Sequence, residues 1–150
     1  MNPSFFPEFE TDFKKLRYIH FGLVMGLAIF ITAMLNFGVD DADTTFRWFA
    51  IESLAGLGLG VTATAISRLI FRKKTASIAK VNKQLARFEQ LQQTYIISWA
   101  LLEGAALFNV VMYFLAANGS NIILATILTG TLLYSRPKKE WVQEQLINEG

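Results

Sequence analysis

Long apolar runs separated by short charged segments organise this chain. No charged residue falls between Tyr18 and Val39 or between Gly104 and Ser135, and Glu52 alone interrupts the interval from Arg47 to Arg68. A helix needs about 20 mostly apolar residues to cross a bilayer. The pattern predicts four such spans, at residues 18–37, 48–71, 95–117 and 121–135. The fourth has only 15 residues, so it is expected to sit shallow, thin the bilayer or borrow its flanking turn and Arg136. Period-two alternation is absent, and lipid demands that each segment pair its own backbone groups, so the spans are read as helices. The predicted fold class is therefore all-α, a polytopic integral membrane protein forming one four-helix membrane domain over residues 1–150.

Charge adds orientation to this picture. Thirteen of the fourteen Lys and Arg residues fall on one side: before span one, between spans two and three, after span four, or, for Arg68, just inside the end of span two. Arg47 alone lies on the other side, in "GVDDADTTFR". The positive-inside rule then makes both termini and the loop 72–94 cytoplasmic. In that loop Ile78, Val81, Leu85 and Phe88 recur at spacings of three and four. They predict an amphipathic helix that lies on anionic headgroups, extends span three into the cytosol, or docks a partner. The tail 136–150 repeats the theme, with Pro137 at a helix start and Trp141 suited to an interface. For the N-terminal "MNPSFFPEFETDF" both the membrane surface and a partner remain open.

Composition agrees with a membrane location: 53% hydrophobic residues, 17% charged and a mean hydropathy of +0.36 exceed what an ordinary soluble domain carries. The first apolar run is longer than a signal-peptide core and no clear small-x-small cleavage site follows it, so it is read as a retained span. With no cysteine and one histidine, His20, neither a disulfide nor a metal or haem site is expected, and no cofactor is assigned. The basic residues flank apolar spans, which argues for lipid contact and against nucleic acid. No nucleophile–base pair or nucleotide motif points to an enzyme; "GLGLG" lies inside a span with no preceding strand.

Three groups of residues could carry function. In span two Glu52, Gly56, Gly60, Thr64 or Ala63, and Ser67 recur at spacings of three and four, a small-residue face suited to close helix packing. Glu52 lies near the outer boundary, within reach of Arg47. Glu103 lies about 12 Å inside span three, close to the midplane, where an ionised carboxylate costs roughly 2.5–3.5 kcal/mol on insertion scales. It is expected to be protonated there unless a cation or water is near. Thr62 and Thr64 fall at a similar depth and offer hydroxyls, so Glu103, Thr62 and Thr64 form the candidate ion-binding set. The competing reading makes Glu103 a hydrogen-bonded packing residue. His20, at the cytoplasmic end of span one, is read as an interfacial residue without a task.

The stretch "ALLEGAALFNVVMYFL" resembles the second helix of the proteolipid c subunit of rotary ATP synthases, and the glycine-rich "GLGLGVTATAI" resembles the helix before it. The likeness covers spans two and three. It implies an ion-carrying role for Glu103, an inner packing helix bearing Gly56, Gly58 and Gly60, and a cytoplasmic polar loop between them.

Three functions are therefore expected of such a chain. The first is a small integral or accessory subunit of a bacterial inner-membrane complex, surrounded by membrane lipids and by other subunits or copies of itself. The second is an ion-translocating proteolipid-like protein using Glu103. The third is a scaffold that recruits partners through its basic loop.

Overall fold

In the computed structural model, residues 8–37, 45–78, 81 and 83–147 are described. They form five helices: α1 (Phe9–Phe37), α2 (Ile51–Ile78), α3 (Gln84–Ala116), α4 (Gly119–Tyr134) and α5 (Lys139–Ile147). The protein is all-α. Its first three helices are long and apolar enough to cross a membrane, and α4 is a shorter apolar helix. At 1.5 Å per residue its 16 residues reach about 24 Å, short of a hydrocarbon core of about 30 Å.

The outside of the bundle is apolar. Phe21, Ile29, Leu54, Val61, Leu69, Val111, Phe114, Ile127 and Leu133 are all exposed. A large apolar surface of this kind is stable against lipid tails and costly in water. The interior is built around α3, which packs chiefly on α2 and α4, with α1 against α3 and α4. Trp99 is its largest wholly buried side chain. Its indole Nε1–H donates to the Ser135 carbonyl at 3.3 Å. Its ring lies 4.8 Å from that of His20 and 5.2 Å from that of Tyr95.

His20, expected to be idle, is a clamp. It is buried, and its Nε2–H donates to the Leu132 carbonyl at 2.8 Å, tying α1 to the last turn of α4. A carbonyl only accepts, so this bond selects the tautomer with the proton on Nε2.

The long helices continue past the apolar spans at the basic end of the molecule. The expected helix at 72–94 is divided between them: α2 runs on to Ile78 and α3 already begins at Gln84. Of the three placements open to that segment, extension of span three is the one adopted for 84–94. Its apolar face is covered by other parts of the chain. Ile78, Phe88 and Leu91 join Phe9, Phe13 and Leu16 of α1 and Val142 and Leu146 of α5 in one buried cluster. Phe9 stacks on Phe13 and meets Phe88 edge-on, with ring centroids 5.9 and 5.7 Å apart. The described part of the N-terminal segment thus lies against its own bundle, while residues 1–7 fall outside the described residues.

Two polar contacts hold this layer. Arg87, almost wholly buried, donates to the Val81 carbonyl and to the Leu146 carbonyl, so one base of the loop is a structural tie for α5. Lys139 pairs with Glu10 at 2.5 Å and joins the start of α5 to the start of α1. Trp141, expected at a membrane interface, is half-buried against Phe71, with centroids 5.4 Å apart.

Because the apolar stripe of the α3 extension is buried in this layer, truncating it opens a cavity. Phe88→Ala is expected to destabilise the protein by about 3–5 kcal/mol. Leu85→Ala, at an exposed position on the same turn, should stay within about 0.5 kcal/mol of the parent. Thermal unfolding in a mild detergent, followed by circular dichroism, measures both.

Candidate functional site: an unpartnered carboxylate and a buried amide node

Sequence reasoning placed Glu103 with Thr62 and Thr64, and the structure separates them. The α2-facing side of α3 is marked by Ser98, whose hydroxyl lies 3.5 Å from the Ser67 carbonyl, and by Asn109, which donates to the Gly56 carbonyl at 3.3 Å. Glu103 follows Ser98 by five residues, which turns it about 140° round the helix, away from α2. Thr62 is exposed. Thr64 lines the seam between α2 and α4 and donates its hydroxyl to the Gly60 carbonyl of its own helix at 2.8 Å. The candidate ion-binding trio is not assembled within this chain.

Glu103 itself is half-buried, and it has no hydrogen-bond or ion-pair partner among the described residues. Ala100, Gly104 and Leu107 beside it are exposed. A Cβ added to Gly104 would meet nothing within 4 Å. This flank of α3 is open, and it carries the carboxylate at its border.

The small-residue face of span two is used inside the chain. Gly60 packs on Leu128, with 3.2 Å from an added Cβ to the nearest methyl, and Ser67 is buried towards α3. Gly56 allows the closest approach. A Cβ there would stand 2.1 Å from Asn109 Oδ1 and 3.1 Å from Asn121 Oδ1. The two amide oxygens therefore lie within about 5 Å of each other. Asn109 and Asn121 have no exposed surface. Asn109 Nδ2 is satisfied by the Gly56 and Ala105 carbonyls. Asn109 Oδ1, both polar ends of Asn121 and the Ser120 hydroxyl are buried without a partner among the described residues. Buried amides rarely remain so, which makes this a polar node in the bundle interior.

Next to it, at the end of the molecule opposite the basic layer, lies a satisfied network around Asn118. This residue caps α4, its Oδ1 accepting from the backbone N–H groups of Ser120 and Arg47. Its Nδ2 donates to Ser53 Oγ at 2.8 Å, to the Arg47 carbonyl and to Glu52. Arg47 completes the network by pairing with Glu52 at 3.0 Å and donating to the Ala116 carbonyl, where the end of α3 favours a cation. The turn that makes this possible places Ala117 in the left-handed region, with φ 49°, so α3 and α4 are joined by two residues. Gly119 follows because a Cβ there would strike the Phe46 ring at 2.6 Å.

No family model, curated protein or solved structure matches this chain. Its functional reading rests on geometry.

Asn109, Asn118, Ser120 and Asn121 carry no charge, so the placement of charges along the spans does not single them out. A signal was available: an uncharged amide inside an apolar run also has to turn inward, and Gly56 offered the small facing residue it needs.

Gly56→Ala is expected to force Asn109 off its bonds to Gly56 and Ala105, at a cost of about 1–3 kcal/mol. Gly58→Ala meets nothing within 4 Å and should be neutral or slightly stabilising, since alanine favours a helix by roughly 1 kcal/mol. Unfolding midpoints of the two variants, compared in one detergent, test the assignment.

Proposed function

We propose that this protein is a small integral or accessory subunit of a bacterial inner-membrane complex, spanning the membrane four times with both termini in the cytoplasm. The observation that carries the reading is Glu103, a half-buried carboxylate at mid-helix with no partner among the described residues, beside the exposed flank of Ala100, Gly104 and Leu107. A polar group in hydrocarbon seeks a hydrogen-bond partner. A helix of a second subunit lying along Ala100, Glu103 and Gly104 would supply one, and the small residues would let it approach closely.

A second reading shares the same observation. A carboxyl reachable from outside the bundle can take up and release a proton or ion if another chain supplies the pathway, and this is the role implied by the likeness to proteolipid c subunits. The scaffold reading has less support, because the apolar face of the basic loop is occupied inside the chain.

Pull-down from native membranes in mild detergent is expected to bring a stoichiometric membrane partner with the parent protein. Glu103→Leu should lower recovery of that partner by at least about tenfold, the equivalent of 1.4 kcal/mol, and leave the fold intact. Isolation of the parent as a lone monomer would sink the subunit reading. For the second reading, ion flux into proteoliposomes holding the whole complex should cease in Glu103→Gln; normal flux rules it out.

Orientation has its own test, made simple by the absence of native cysteine. Single cysteines at exposed Ser77 and exposed Phe49 lie at opposite ends of the bundle. A membrane-impermeant maleimide added to intact cells should label Phe49→Cys only, and label Ser77→Cys after the membrane is opened.

A further inference from the structure

The seam between α2 and α4 is a groove of about 360 Å³. Gly56, Gly60 and Thr64 line one wall, and Leu124, Ile127 and Leu128 the other. Leu57, Val61 and Ala65 complete the α2 wall, so that apart from Thr64, Thr131 and Arg68 the lining is apolar or glycine. Arg68 closes it at the basic end and also borders a second cleft of about 350 Å³, which lies between α2, α3 and the end of α4. Phe71, Tyr95 and Trp99 wall this second cleft, and Arg72 and Arg136 stand with Arg68 at its rim. No Asp or Glu lines either space. None of the three guanidiniums has a carboxylate partner among the described residues, and all three are exposed. Arg136 also borders the neighbouring cleft at Arg17 and Lys138, where Glu140 shares the lining without pairing with it.

The dimensions fit one leaflet. Gly56 to Arg68 is twelve residues, about 18 Å of helix, against about 15 Å for half of a hydrocarbon core. An apolar groove of that length ending at Arg68, with Arg72 and Arg136 on the adjoining cleft and none of the three paired to a carboxylate among the described residues, matches a molecule with an acyl tail and an anionic head. Arginine's planar fork suits phosphate in particular, and its long stem lets the charge reach the headgroup level.

We propose that this seam is a binding site for an anionic phospholipid of the leaflet at the basic end, its phosphate held by Arg68, Arg72 and Arg136 and one acyl chain lying along α2 and α4. The aromatic cleft behind the arginines receives the glycerol region, and the small residues of α2 give the tail its depth. Such a lipid covers the open seam between these two helices, and its headgroup bridges the ends of α2 and α4.

Native mass spectrometry of the purified full chain, titrated with phosphatidylglycerol or phosphatidylcholine in mixed micelles, tests the site. Phosphatidylglycerol is expected to be retained in preference to phosphatidylcholine. Joint replacement of Arg68, Arg72 and Arg136 by Gln should weaken its binding about a hundredfold, each base contributing roughly fivefold. Joint replacement of Lys73, Lys74 and Lys83 by Gln removes the same charge from exposed positions outside the cleft and should change binding by less than about threefold, as for screened surface charges. Ala65→Phe, at an exposed position in the groove, should weaken both lipids alike by filling the tail channel. The proposal is overturned if the lysine variant loses phosphatidylglycerol as the arginine variant does, if phosphatidylcholine binds equally well, or if millimolar inorganic phosphate displaces the lipid. It is overturned as well if the purified chain holds no lipid and self-associates through the seam.

Discussion

Asn109 of α3 and Gly56 of α2 meet in a contact too close for any side chain at position 56, and much of the bundle is arranged around it. A fully buried amide can remain inside an apolar bundle only if its donors find acceptors there. Asn109 finds one on its own helix and one on α2, and the second exists because Gly56 has no side chain. That contact sets the separation of α2 and α3. Ser67 and Ser98 then meet further along the same faces, and Gly60 can seat Leu128 of α4. The helix ends above are fixed by Asn118, which serves α4, the loop at Arg47 and the start of α2 together.

The two ends of the molecule are stabilised differently. Around Asn118 the material is polar: an amide, a hydroxyl, an ion pair and backbone groups, most of them with several partners. At the basic end a small hydrophobic layer forms from the extensions of α1, α2 and α3 together with α5, locked by Arg87. Burial of apolar surface drives association in water, whereas between helices in lipid it contributes little and packing and hydrogen bonds take over. Function would then fall on what this scaffold leaves unused, namely the Glu103 carboxyl and the three guanidiniums along the α2–α4 seam.

Much of the helical plan was legible in the sequence. Runs of about 20 apolar residues, the absence of alternation and the small-residue recurrence on span two depend only on local composition and on helix period. Those quantities survive without knowledge of neighbours, and the three long apolar helices and the shorter fourth follow from them. The boundaries were less legible. The loop 72–94 carries a genuine amphipathic period, yet a period says which face is apolar and not what covers it. Here the cover is Phe9, Phe13, Val142 and Leu146, drawn from both ends of the chain.

Side-chain partnership was decided by the tertiary structure alone. Depth along a helix can be counted from the sequence, and by depth Glu103 and the threonines of α2 are level. Azimuth cannot be assigned until the neighbouring helices are placed, and rotation of about 140° from Ser98 turns Glu103 away from them. The same freedom concealed His20, whose partner carbonyl is 112 residues distant in the chain, and Asn121, whose oxygen meets Gly56 only when α4 folds back against α2. The sequence by itself determined which segments are apolar, where charge is tolerated and where helices can approach closely, because these are properties of single helices in a low-dielectric medium. Which polar groups meet, and which are left for another molecule, depended on the rotation of each helix about its axis, which only packing against the others fixes.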